Sequence, residues 1–133
     1  MRYALDANTL SYILRNTKGV AERWKSEETQ GNIVSIPLVA YYEVKRGLLS
    51  VNATAKLSAL QELCKTIGID ELTIQDANTA SDIYSNLKKQ GNLIDDADIL
   101  IAAQVLNRGY TLVTNNANHF DRIDGLNIVD WVE

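Results

Sequence analysis

Residues 91–103 read GNLIDDADILIAA, so Asp95, Asp96 and Asp98 stand at the head of a segment that is otherwise apolar. On a helix, Ile101, Ala102 and Val105 share a face with Asp98 at i+3, i+4 and i+7, which aims that carboxylate along the packed side. Asp95 lies one turn earlier on roughly the same side, and Asp96 turns away. Acids in a first turn often serve the orphan N–H groups and the helix dipole, for roughly 0.3–1 kcal/mol each. Capping suits Asp96 best, Asp95 less, and Asp98 least, because it does not explain an acid on a buried stripe. Two further acids raise the same question. Asp6 follows the apolar run RYAL, where it reads equally as a turn residue or as the cap of a helix. Glu43 lies in LVAYYEVKRGLL with Val39, Ala40 and Gly47 on its face, and a lone Glu there is more often solvated.

The three acids Asp6, Glu43 and Asp98 start from different elements that can reach one sheet edge. Two carboxylates ~4 Å apart repel by roughly 4 kcal/mol at an effective dielectric of about 20. Convergence is tolerated only if protons or cations compensate, and hard oxygen ligands select Mg²⁺ or Mn²⁺. With one His and one Cys in the chain, no His/Cys cluster competes. A Mg²⁺ site held by few carboxylates keeps several waters, one of which can attack a phosphodiester. The chemistry on offer is metal-assisted phosphoryl transfer without a protein nucleophile.

The elements that must position these acids alternate along the chain. Strands are expected at 2–6, 32–36, 66–69, 110–114 and 127–131. Helices are expected at 9–14, 19–28, 38–49 (with Pro37 in the first turn), 53–64, 76–90 and 94–107. Gly91 and Gly109 stop the last two helices. Strands separated by helices imply an α/β fold, a mostly parallel sheet of four or five strands covered on both faces. Ligands of such sheets bind beyond the carboxyl ends of the strands, at the switch in strand order. Asp6 ends the first strand, and Thr114, Asn115 and Asn116 end the fourth, so all are polar where that rule looks.

Composition narrows the partners. The 133 residues suit one domain, 1–133. Seventeen acids against 13 Lys and Arg leave a net charge of −4, which argues against gripping nucleic acid by bulk positive charge but not against a small basic rim. No apolar run is long enough to span a membrane, and no signal-like start is present. A single cysteine, Cys64, forms no internal disulfide and is expected to pack in a helix; a cytoplasmic location is expected.

LDANTL (5–10), YYEVKRG (41–47), GNLIDDADILIAA (91–103) and LVTNNANHF (112–120), in that order, resemble the four signature segments of PIN-domain ribonucleases. Their spacing is similar to that of the VapC toxins of toxin–antitoxin pairs, down to a closing GLNIVDW (125–131). The resemblance implies a PIN-like three-layer fold and an Mg²⁺-dependent endoribonuclease, with Mn²⁺ able to substitute, cutting RNA such as tRNA. It also implies a cognate antitoxin and a homodimer. The family's acids fall on Asp6, Glu43 and Asp98 as metal ligands, with Asp95 and Asp121 as weaker candidates. The family's polar residue after the fourth strand falls on Asn116, where many members carry Asp, and His119 stands where some relatives carry another acid. Both departures put a second metal in doubt. Thr9, Thr114 and Asn115 are expected to support the site, and His119 to be a loop residue. Tyr12, Trp24, Tyr41 and Tyr42 are apolar enough to meet the antitoxin, although core is the commoner fate of each. Two other readings are open. One is an inactive PIN domain serving as an RNA- or protein-binding module. The other is a phosphatase, since DANTL is similar to the D-x-D-x-T loop of haloacid-dehalogenase-like enzymes, but Asn8 replaces the second acid.

Overall fold

Five short strands with β-branched and aliphatic side chains form the centre of the molecule, described for residues 1–133 in a computed structural model. The order is β1 (Arg2–Leu5), α1 (Ala7–Arg15), α2 (Val20–Thr29), β2 (Ile33–Pro37), α3 (Leu38–Ser50), α4 (Thr54–Thr66), β3 (Gly68–Asp70), α5 (Ile74–Lys89), α6 (Asp96–Arg108), β4 (Thr111–Val113), α7 (Ala117–Phe120) and β5 (Asn127–Val129). The strands lie in the order β3-β2-β1-β4-β5 and every pairing is parallel. After their first residue, β1 and β2 are buried throughout, the pattern of strands covered on both faces. The α/β expectation is met, with five strands and flanking helices.

The chain runs outward from β1 to β2 and β3, then returns to lay β4 on the other side of β1. The switch in strand order therefore lies between β1 and β4, registered by Leu5 opposite Val113. The Asp6 N–H donates to the Val113 carbonyl at 3.1 Å, extending that pairing one residue past β1. Asp6 and Thr114 thus stand side by side at the carboxyl ends of the two central strands.

Several boundaries differ from those expected, each for a local reason. The first helix starts at Ala7 rather than at residue 9, because Asp6 itself caps it: its Oδ1 accepts from the Thr9 N–H at 2.8 Å. Pro37 ends β2 and occupies the N-cap position of α3, one residue before the first turn. Helix α5 begins at Ile74, behind a capping box in which Thr73 and Asp76 serve each other's N–H groups. Helix α6 begins at Asp96, since Asp95 is still extended. Trp131 lies beyond β5, in the core, edge-on to Tyr3 at 5.2 Å. Helix α7 has no counterpart among the expected helices; four residues are too few to show a period. No helix is long and apolar enough to cross a membrane.

Candidate active site

Each of the three acids reaches the switch point from a separate element. Asp6 sits between β1 and α1 and is 4% exposed. Burial pushes its carboxyl above the ordinary carboxylate value; the adjacent Thr114 and Thr9, the latter through its N–H, pull it back, and the charge of Asp98 pushes it up again. Glu43 lies mid-way along α3 and is partly buried. Its carboxyl is raised by burial and then by Asp98, is eased by Arg46 at 3.8 Å, and is raised further by Asp6 and Asp95. Asp98 lies in the first turn of α6 with its side chain 20% exposed. Its stripe partners Ile101, Ala102 and Val105 are buried, so the facing read from the sequence is the one observed. The structure brings Asp6, Glu43 and Asp98 into one field of mutual repulsion.

The other acids separate along the same lines. Asp95 occupies the N-cap position of α6, yet its side chain makes no capping bond. It is one of the charges that raise Glu43, so it faces the site. Asp96 is the first helical residue and lines a surface cleft with Ala77, Ala80 and Tyr84 of α5, away from the site. Capping by side-chain hydrogen bond, the ordinary reading of both residues, is therefore corrected: neither makes such a bond, and what remains is the dipole. Asp121 is exposed at the end of α7 and is not among the charges acting on Asp6 or Glu43.

Hydroxyls knit the floor of the site. The Thr9 hydroxyl donates to the Val113 carbonyl at 3.0 Å, and the Thr114 hydroxyl accepts from the Asn116 N–H at 2.9 Å. Both threonines are buried beside Asp6. Asn115 does something else. Its amide donates to the Tyr12 hydroxyl at 3.1 Å, tying the loop after β4 to α1.

A family model for the PIN domain matches residues 3–126. The chain belongs to the PIN-domain family. Within that family it is 37% identical to Ribonuclease VapC1 of Methanocaldococcus jannaschii over 90% of this chain and 88% of the relative. It is 26% identical to the tRNA(fMet)-specific endonuclease VapC of Salmonella typhimurium over 98% of each. Among solved structures, VapBC-1 from nontypeable Haemophilus influenzae superposes with a TM-score of 0.86 at 26% identity, covering 98% of both chains. The expected resemblance holds from end to end, which sets aside the phosphatase reading.

Asn116 and His119, the two residues that stand where the resemblance places acids in other members, touch each other. Asn116 occupies the N-cap position of α7 without a side-chain capping bond, and its amide lies 2.9 Å from His119 Nδ1. The same Nδ1 lies 3.1 Å from Asp98 Oδ2. A carboxylate oxygen only accepts, so the contact to Asp98 needs the proton on Nδ1; Asn116 then meets that N–H best with its amide oxygen turned inward. His119 is thus no free loop residue but the neighbour of the proposed metal-binding Asp98. Sequence reasoning missed this because α7, which presents it, left no periodic signal.

No three acidic, imidazole or thiol side chains lie close enough together to hold a metal ion unaided. Hard, hydrated Mg²⁺ asks for less: one or two carboxylates, with water and substrate phosphate completing its shell. Asp6, which is buried, and Asp98, which is half-buried and repels it, fit that smaller requirement with Glu43 nearby.

Proposed function

We propose that the chain is the ribonuclease toxin of a toxin–antitoxin pair, a metal-dependent endonuclease that cleaves RNA phosphodiesters. The single observation that carries the reading is the convergence of Asp6, Glu43 and Asp98 at the switch between β1 and β4, where the charge of Asp98 raises the carboxyls of both Asp6 and Glu43. An arrangement that opposes itself electrostatically has a use when a cation joins it. The names of the curated relatives, Ribonuclease VapC1 among them, support the same reading. The solved VapBC-1 structure supports an antitoxin as the protein partner.

Asp6 and Asp98 would hold Mg²⁺ directly, and Glu43 would bind it through water or orient the attacking water. Such an ion supplies Lewis-acid charge and a more acidic bound water. The protein's own share is positioning. Thr9 and Thr114 fix the Asp6 carboxylate, Asn116 braces His119, and His119 fixes the rotamer of Asp98. With no side chain placed as a nucleophile, water is the attacking group. The tRNA named for the Salmonella relative makes initiator tRNA the first substrate to try.

The test is cleavage of tRNA and bulk RNA by the purified protein in Mg²⁺, beside Asp98→Ala and an EDTA control. The reading expects cuts that need both the metal and Asp98. Activity that survives in Asp98→Ala or in EDTA would refute it. A folded protein that binds RNA and never cuts it would favour the non-catalytic PIN module.

A further inference from the structure

Beside Glu43 a second feature opens that the carboxylates do not use. A cleft of about 220 Å³ runs between α1, α3 and α4, lined by Ser11 and Arg15 of α1, Glu43 and Gly47 of α3, and Lys56 of α4. Its lining carries both signs. Glu43 belongs to the acidic site, whereas Arg15 and Lys56 are exposed cations, and neither is paired with a carboxylate. Arg15 is held in place on its own helix: its Nε donates to the Ser11 carbonyl at 3.4 Å, and its guanidinium lies over the Tyr12 ring, 5.5 Å from the centroid. The floor is open at Gly47, where a Cβ would meet no atom within 4 Å. In a chain of net charge −4, what sets these two unpaired cations apart is that they line one cleft with an acid of the site.

We propose that this cleft binds the backbone phosphate next to the scissile one, with Arg15 and Lys56 as its counter-charges and the Ser11 hydroxyl as a hydrogen-bond donor. The proposal rests on the nuclease reading above. A strand that places one phosphate at the acids must carry its neighbour a single nucleotide away. The cleft shares Glu43 with those acids, so it is the adjoining surface. Contacts of this kind set register and affinity without reading bases. The acids then choose the bond, and the cations hold the strand that presents it.

The experiment titrates a short fluorescein-labelled single-stranded RNA against Asp98→Asn protein over a series of KCl concentrations. Cleavage kinetics are measured in parallel on the otherwise unaltered enzyme. Lys56→Gln and Arg15→Gln are each expected to raise Kd and KM about tenfold, leaving kcat within about twofold. Each should also lower the slope of log Kd against log salt by about 0.7, the value for one lost phosphate contact on a single strand. Gly47→Leu, which the open floor accommodates, should raise KM by obstruction while the slope stays put. Lys25→Gln removes the same charge from exposed α2 and should change neither. An equal slope change in Lys25→Gln, or an unaltered Kd in Lys56→Gln, overturns the proposal. So does weakened antitoxin binding with RNA binding intact, which would give the cleft to an acidic protein segment. Should the parent protein fail to cleave while Lys56→Gln still weakens RNA binding, the nuclease reading falls and the cleft stands.

Discussion

Asp6 has two tasks that different substitutions separate. Its oxygen caps α1 through the Thr9 N–H, and its charge is buried opposite Asp98. Asn keeps an accepting oxygen and drops the charge; Ala drops both. In metal-free buffer, urea unfolding should find Asp6→Asn at least as stable as the parent, and Asp6→Ala weaker than Asp6→Asn by about 1 kcal/mol, the usual worth of a cap. Equal stability of the two variants would dismiss the cap. The acids of α6 should separate by facing. Asp98→Ala abolishes RNA cleavage, Asp95→Asn reduces it because its charge acts on Glu43, and Asp96→Asn stays within a few fold. An Asp96 variant as inactive as Asp98→Ala, measured by gel-based cleavage, would overturn that order. His119→Asp places a carboxylate against Asp98 in place of an imidazole, so it should lower the Mg²⁺ concentration needed for half-maximal cleavage.

Among the elements, α5 and α6 are locked by a polar network far from the acids of the site. Asp76, 1% exposed, takes the Thr73 N–H at 2.9 Å, the Asn107 amide at 2.8 Å, and the Arg108 guanidinium at 3.1 and 3.2 Å. Burial works against its charge, yet the hydrogen bonds from Arg108, Asn107 and Thr73 prevail and hold the carboxyl at about 2. Arg108 also donates to the Glu71 carbonyl at 2.7 Å, which ties the loop after β3 to the end of α6. A carboxyl lowered on folding stabilises the fold above its unfolded value, near 3.9, and that stability drains away as pH falls toward 2. The contribution is about 2 kcal/mol at neutral pH. Asp76→Asn should therefore unfold more easily at pH 7 and lose less between pH 5 and pH 2 than the parent does, as followed by circular dichroism. Parallel acid limbs for the two proteins would contradict the assignment.

For the whole molecule, a cation that binds only the folded acids should stabilise everything the sheet holds together. Linkage gives RT ln(1 + [L]/Kd), about 2.7 kcal/mol at a hundredfold excess over Kd. Mg²⁺ and Mn²⁺ are expected to raise Tm, and Asp6→Ala or Asp98→Ala to remove most of the rise. Asn116 is uncharged and His119 takes up Asp98, so calorimetry of the RNA-free protein should find one weak site. Two tight sites would refute the single-metal expectation, and equal thermal shifts in all three proteins would refute the metal altogether.

The alternation of strand and helix, and the facing of Asp98, were legible in the sequence because hydrophobic period is a local property: Ile101, Ala102 and Val105 declare a buried stripe whatever packs on it. The resemblance carried Asp6 and Glu43 with it, residue by residue. The T-x-x-D of the α5 capping box is legible too, although the apolar stripe alone sets the helix start two residues later. Other features had no local signature. That β4 returns to the far side of β1, setting Asp6 beside Thr114, is a choice of topology made by the packing of all the helices at once. That His119 meets Asp98 depends on a four-residue helix too short to show a period. That Arg15 and Lys56, 41 positions apart, line one cleft with Glu43 depends on how α1, α3 and α4 pack. Contacts between distant residues arise only when the chain closes, and their energies come from burial and charge that the sequence lists but does not place.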